Sequence, residues 1–303
     1  MAFPISVIQL DVDPAQPDSN RDAALALAAE AISKGARLVL LPEACVTDFY
    51  IGAEALAEPI HGPLTNEFSK IARDSLIALP LLEKSADGIY SACALVSAQD
   101  VLGAARKTHL YHDPSGLDLC RDDAIVRAGN SLTIIDAGSI RVGIAIGFDA
   151  EFPEVFRALA TKGADAILVA LNCVEPDIPF LSAMAKRNRV AIAVANRIGF
   201  KRIYPSAPEF SATHSAIVQD KRGEYLIRCK GGSAIIGPDG EIAALARAQV
   251  TESAPAAIPD RVKIPASHFQ EEEILTASFV IDELRIQRLT HPFLTARRGD
   301  LYL

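Results

Sequence analysis

Lys34-Gly35-Ala36-Arg37-Leu38-Val39-Leu40-Leu41 joins a basic residue and a glycine to an apolar run, and the second half of the chain echoes it as Lys162-Gly163-Ala164-Asp165-Ala166-Ile167-Leu168-Val169. In each copy Lys-Gly reads as the basic last turn and C′ glycine of a helix. The apolar run that follows reads as a strand buried on both faces. Upstream of the first copy, the Ala-rich residues 23–32 are helical behind the candidate N-cap residues Asp18-Ser19-Asn20, and residues 5–10 form a strand. Strand, helix, strand is the unit of a parallel or mixed sheet. Upstream of the second copy, residues 132–136 and 141–146 pair across Gly138-Ser139, and 153–161 form a helix with proline in its first turn.

The same reading gives a helix over 63–72, a strand over 76–82 and a hairpin of 89–98 with 101–106 across Gln99-Asp100. Further on it gives a helix over 180–188, a strand over 190–195 and a hairpin of 233–236 with 242–245 over Pro238-Asp239-Gly240. Residues 199–231 read as a long irregular surface loop, 254–265 as a Pro- and Ala-rich linker, and 274–281 as the last strand. The expectation is an α/β fold of two similar αβ halves with two sheets packed face to face. It is one domain over 1–303, with its core in 4–250 and a C-terminal strand and tail in 251–303.

Half of the 303 residues are hydrophobic and 22% are charged, which excludes a disordered chain. The net charge is −8 and no Lys/Arg cluster forms a stripe, so nucleic acid and anionic membrane are not expected partners. Five cysteines (Cys45, Cys93, Cys120, Cys173 and Cys229) show no CxxC spacing, and residues 1–5 lack a basic leader. Reduced thiols in a cytoplasmic protein are expected. The chain contains no tryptophan.

Charged residues that end buried strands reach the rim where α/β proteins keep their sites, which singles out Glu43 and Lys107. Asp149, Glu151 and Glu154 read as N-cap and first-turn acids of the helix at Pro153. His109 and His112 are not completed into a metal-ligand pattern, and neither GxGxxG, a Walker motif nor GxSxG occurs. No metal or cofactor is expected. The basic pair Lys201-Arg202 in the 199–231 loop reads either as solvated charge or as the receiver of a substrate carboxylate.

Leu41-Pro42-Glu43, Arg106-Lys107-Thr108-His109-Leu110 and the segment from Gly143 through Gly147-Phe148-Asp149 to Phe152-Pro153-Glu154 together resemble the three signature segments of the carbon-nitrogen hydrolase (nitrilase) superfamily. The similarity continues through Ala195-Asn196-Arg197-Ile198-Gly199 and Gly237-Pro238-Asp239-Gly240 to Arg297-Arg298-Gly299-Asp300. The resemblance implies a four-layer αββα sandwich, a Glu-Lys-Cys triad without cofactor, and a homodimer or larger assembly. On the amidase and carbamoylase side of the superfamily, the substrate is a small linear amide or N-carbamoyl compound. By the same resemblance Glu43 is the general base, with a pKa raised by burial, and Lys107 stabilises the oxyanion with the backbone N–H of Phe148. Asn172 and Cys173 follow a buried strand at a pocket-lining position.

The nucleophile's slot holds Gly147, which cannot form a thioester. Losing such a nucleophile costs on the order of 10⁴ to 10⁶ in turnover. Three accounts stand: a nucleophile deleted from a Cys-bearing parent, a natural pseudoenzyme that binds a small amide, or a relocated nucleophile, for which Cys173 is the one candidate. Two further departures concern acids and ion pairs. Met184 and Arg187 stand before Asn188 where the family has Arg and Glu, so an internal ion pair is expected to be absent or rewired. Asp122 or Asp123 is the acid nearest to the family's second glutamate.

Overall fold

A computed structural model describes residues 2–112, 122–203, 217–219, 225–246 and 271–301. The first half runs β1 (Ala2–Asp11), α1 (Pro17–Ser33), β2 (Leu38–Leu40), α2 (Pro63–Ala72), β3 (Leu76–Ser85), β4 (Gly88–Val96) and β5 (Val101–Arg106). The second continues with β6 (Ile134–Asp136), β7 (Arg141–Ile146), α3 (Pro153–Thr161), β8 (Ala166–Ala170), α4 (Ile178–Asn188) and β9 (Ala191–Ala195). Then follow β10 (Arg197–Ile203), β11 (Ile217–Gln219), β12 (Tyr225–Lys230), β13 (Ala234–Ile236), β14 (Ile242–Leu245), β15 (Glu273–Val280), α5 (Ile281–Thr290) and α6 (Pro292–Thr295).

Side-chain alternation along the central strands builds four layers. In β2, Leu38 and Leu40 face the second sheet while Val39 turns to α1 and α2. In β8, Ala166, Leu168 and Ala170 meet the first sheet while Ile167 and Val169 pack under α3 and α4. Strands covered on both faces therefore read as continuous apolar runs, as the two Lys-Gly-Ala copies do. One sheet has the order β11-β12-β10-β1-β2-β3-β4-β5 with β15 added on β1, and the other the order β14-β13-β9-β8-β7-β6. The αββα sandwich of two mixed sheets expected from the sequence is the fold observed.

Three expectations are corrected. The helix expected behind Asp18-Ser19-Asn20 begins earlier, at Pro17, because proline is pre-set for the first turn. Asn20 lies inside it, donating to the carbonyls of Asp13 and Val46. The 199–231 segment contains paired strand, not only loop: β10 runs antiparallel to β12 from Ile198↔Lys230 to Ile203↔Tyr225. β11 adds to β12 as well, from Ile217↔Ile227 to Gln219↔Tyr225, while residues 204–216 and 220–224, and the 254–265 linker, lie outside the described residues. The C-terminal segment is more than a strand and tail, since β15 pairs along β1 and is followed by α5, which docks through Arg285 and Arg288 on the buried Asp165.

Candidate active site

The carboxyl ends of β2, β5, β7 and β8 converge on one rim between the sheets, the place where open α/β sheets form crevices. Glu43 leaves β2 by a tight turn whose next residue, Ala44, has φ 49°, and Asp48 beyond it has φ 59°. Such left-handed non-glycine residues cost roughly 1 kcal/mol or more each and persist where surrounding contacts enforce them. The Glu43 backbone N–H donates to the Leu171 carbonyl, tying this turn to the end of β8 in the other sheet. Lys107 leaves β5 with its N–H on the Ser91 carbonyl and its own carbonyl accepting from Gly129.

Glu43 and Lys107 are each 3% exposed, with Nζ 3.1 Å from Oε1. The same Oε1 accepts from the Ser91 hydroxyl at 2.9 Å. Lys107 also stands 2.6 Å from the buried Asp122 carboxylate and over the Phe49 ring. Asp122 is thus the second acid of the cluster, and Asp123 turns instead toward His112, 3.7 Å away. A buried ammonium shared by two carboxylates is compensated on both sides, which removes the large penalty of an isolated buried charge.

Gly147 faces this pair from the end of β7, in a turn of 3₁₀ helix, with φ +53°. That conformation suits glycine, and a Cβ built there would overlap Lys107 Nζ and lie 2.5 Å from Glu43 Oε2. The charged ends of Glu43 and Lys107 occupy the space that a nucleophile's side chain would fill.

Asp149 corrects a sequence reading. The N-cap of α3 is Phe152, and Asp149 is buried two residues past Gly147, not an acid of that helix. Its Oδ1 accepts from the Thr108 hydroxyl at 2.7 Å, the His109 N–H at 2.8 Å and His109 Nδ1 at 2.8 Å, while Oδ2 accepts from the Ile146 N–H at 3.2 Å. One carboxylate therefore fastens the segment after Lys107 to the turn that carries Gly147. His109, so engaged, stacks on Phe152 with centroids 4.1 Å apart.

All six residues singled out by the sequence, Glu43, Lys107, Gly147, Phe148, Asn172 and Cys173, line one cavity of about 410 Å³. Phe148 presents its ring edge-on to Tyr111 at 5.2 Å. Asn172 donates to Asp48 Oδ1 at 2.9 Å. Burial raises the Cys173 thiol to about 12, which leaves almost no thiolate near neutrality and does not suit a relocated nucleophile. Arg187 is exposed on α4, and the buried arginine of this region is Arg197, paired with Asp48. Burial drives Asp48 upward, but Arg197 and Asn172 outweigh it and hold the carboxyl below its ordinary value.

An αββα sandwich with a buried Glu–Lys pair at its strand ends is the architecture expected of the nitrilase superfamily. Residues 5–263 match the family described as Carbon-nitrogen hydrolase, and the chain belongs to that family. It is 27% identical over 311 residues to human omega-amidase NIT2, covering 99% of this chain and 97% of that protein. It is 26% identical over 304 residues to N-carbamoylputrescine amidase from Oryza sativa subsp. japonica, covering 93% of this chain and 88% of that one. An amidase from Nesterenkonia sp. superposes with a TM-score of 0.70 at 20% identity, over 99% of this chain and 95% of that one, a likeness of fold.

Proposed function

We propose that this chain carries an amidase- or carbamoylase-type site without its covalent nucleophile. It binds a small linear amide or N-carbamoyl compound and turns it over very slowly. The observation that carries this reading is the buried Glu43–Lys107 pair facing Gly147 inside a cavity large enough for such a ligand. In a Cys-bearing parent, Glu43 takes the thiol proton, the thiolate attacks the carbonyl, and Lys107 with the Phe148 N–H stabilises the oxyanion. Ammonia leaves, and Glu43 then activates the water that releases the acid. In this chain the acyl-enzyme step has no acceptor.

Two origins of Gly147 fit. The retained Glu43, Lys107 and Asp122 support deletion of a nucleophile from an active parent. The placement of the Glu43 and Lys107 side-chain ends where a nucleophile's side chain would lie supports a natural pseudoenzyme that serves as a binding protein. The four described cysteines have free thiols, which agrees with a cytoplasmic location.

Gly147→Cys tests the reading. We expect it to raise amide or carbamoyl hydrolysis by on the order of 10⁴ or more. Because φ is positive and two side-chain ends must move, it should also lose about 1 to 2 kcal/mol of stability in urea unfolding. A folded Gly147→Cys variant that is inert on amides, carbamoyl compounds and nitriles alike removes the deleted-nucleophile account and leaves the binding protein.

A further inference from the structure

Ser91 stands at the end of a row that is otherwise apolar. On β4, Ser91, Cys93 and Leu95 alternate onto one face, and Cys93 and Leu95 pack in the core between the sheets. Ser91 is 1% exposed, and a hydroxyl so buried costs free energy unless it is hydrogen-bonded. Alanine would fill the position without that demand. The partner of the hydroxyl is the Glu43 carboxylate, whose Oε1 accepts from Ser91 Oγ at 2.9 Å.

Ser91 is placed opposite Lys107 as well. The β4–β5 ladder runs to Ala92 opposite Arg106, and the next step sets Ser91 against Lys107, whose N–H donates to the Ser91 carbonyl at 2.8 Å. Residues opposite each other in a ladder send their side chains to the same face. The Ser91 hydroxyl and the Lys107 ammonium therefore reach Glu43 from neighbouring strands, and both end on Oε1, at 2.9 and 3.1 Å. Oε2 is the oxygen turned to Gly147, 2.5 Å from the place of a Cβ on that glycine. The last torsion of a glutamate is broad and two-fold, so a carboxylate turns freely unless something holds it. Lys107 is a point charge that attracts either oxygen. A hydroxyl donates along one direction, so Ser91 selects Oε1 and leaves Oε2 for the slot.

We propose that Ser91 is the positioning residue of this site: it fixes the Glu43 carboxylate with Oε2 toward position 147, where a proton is to be taken. The assignment rests on the reading of Glu43 as the base. Its sign is distinctive. A hydrogen bond to a carboxylate stabilises the charged form, so losing the Ser91 hydroxyl by itself makes Glu43 a stronger base. Losing the placement slows proton transfer, and slowing is what positioning predicts.

The unaltered chain gives the first test. Carbon-13 NMR of the Glu43 carboxyl, assigned by its disappearance in Glu43→Gln, should show a shifted line in Ser91→Ala and the original line in Ser91→Thr, which keeps the hydroxyl. An unmoved line in Ser91→Ala overturns the assignment, whatever the site binds. The second test introduces a thiol by Gly147→Cys and follows its alkylation by iodoacetamide at neutral pH. The thiol proton passes to Glu43 as sulfur bonds to carbon and iodide leaves. Adding Ser91→Ala should slow this step about 10- to 100-fold, the worth of a hydrogen bond to a charged group, and adding Ser91→Thr instead should not. An equal or faster rate with Ser91→Ala overturns the positioning role and leaves Glu43 as the base. If Glu43→Gln in the same background does not slow alkylation, the base reading falls as well. Where Gly147→Cys does not fold, the NMR comparison decides.

Discussion

Asp149 shows most directly how one side chain sets the site. Its two oxygens gather the backbone N–H groups of Thr108, His109 and Ile146 together with the Thr108 hydroxyl and His109 Nδ1. Removing the carboxylate leaves buried backbone donors with no acceptor, each costing about 1 to 3 kcal/mol. Asp149→Ala should therefore lower urea-unfolding stability by about 3 kcal/mol or more, and a loss under 1 kcal/mol would show that the clamp is dispensable. None of this was legible beforehand. An acid just ahead of Pro153 has the local pattern of a helix cap, while two of its partners, Thr108 and His109, lie some 40 residues away. Glu43 and Lys107 were legible because each ends an apolar run. Arg197 was not marked out, because its place in the core depends on Asp48, 149 residues distant. Asp122 was only one of two candidates until its contact with Lys107 separated it from Asp123.

At the level of elements, the helices starting at Pro63 and Pro153 and the strands buried on both faces were legible from capping and hydrophobicity. Pro63–Ala72, Pro153–Thr161 and Arg141–Ile146 have the bounds expected of them. The elements that escaped are held by remote partners. β10 and β12 carry basic residues and no clean alternation, and they form because each supplies the other's ladder. α5 has little apolar stripe and docks by charge, with Arg285 donating at 2.8 Å and Arg288 at 3.4 Å to Asp165, whose Oδ2 also accepts the Arg141 N–H. Asp165 is fully buried, so deleting its charge strands two arginines against the second sheet. Asp165→Asn should cost about 2 to 4 kcal/mol and release α5 selectively. Hydrogen exchange reads this as faster exchange in α5 with protection kept in β8. Unchanged protection in α5 would show that apolar contacts at Ile281 and Leu284 suffice to hold it.

For the whole molecule, the decisive asymmetry lies between a site that draws on both sheets and an outer face that the described residues leave incompletely covered. The Glu43 N–H to Leu171 carbonyl bond joins the ends of β2 and β8, so the rim of the site is tied across both sheets. The C-terminal face is different. Ile286 and Leu289 are three residues apart on α5 and are 60% and 72% exposed, and Leu301 beyond them is 65% exposed. Adjacent large apolar residues left in water are what an association surface presents. Arg285 and Arg288 hold α5 to Asp165, which fixes the direction in which Ile286 and Leu289 point. We therefore expect the chain to sediment as a homodimer or larger assembly. Burying one leucine contributes roughly 1.5 to 3 kcal/mol per copy, so Leu289→Asp should weaken association by at least tenfold and shift the sedimentation profile toward monomer. A chain that sediments as a single monomeric species at every concentration would overturn this assignment.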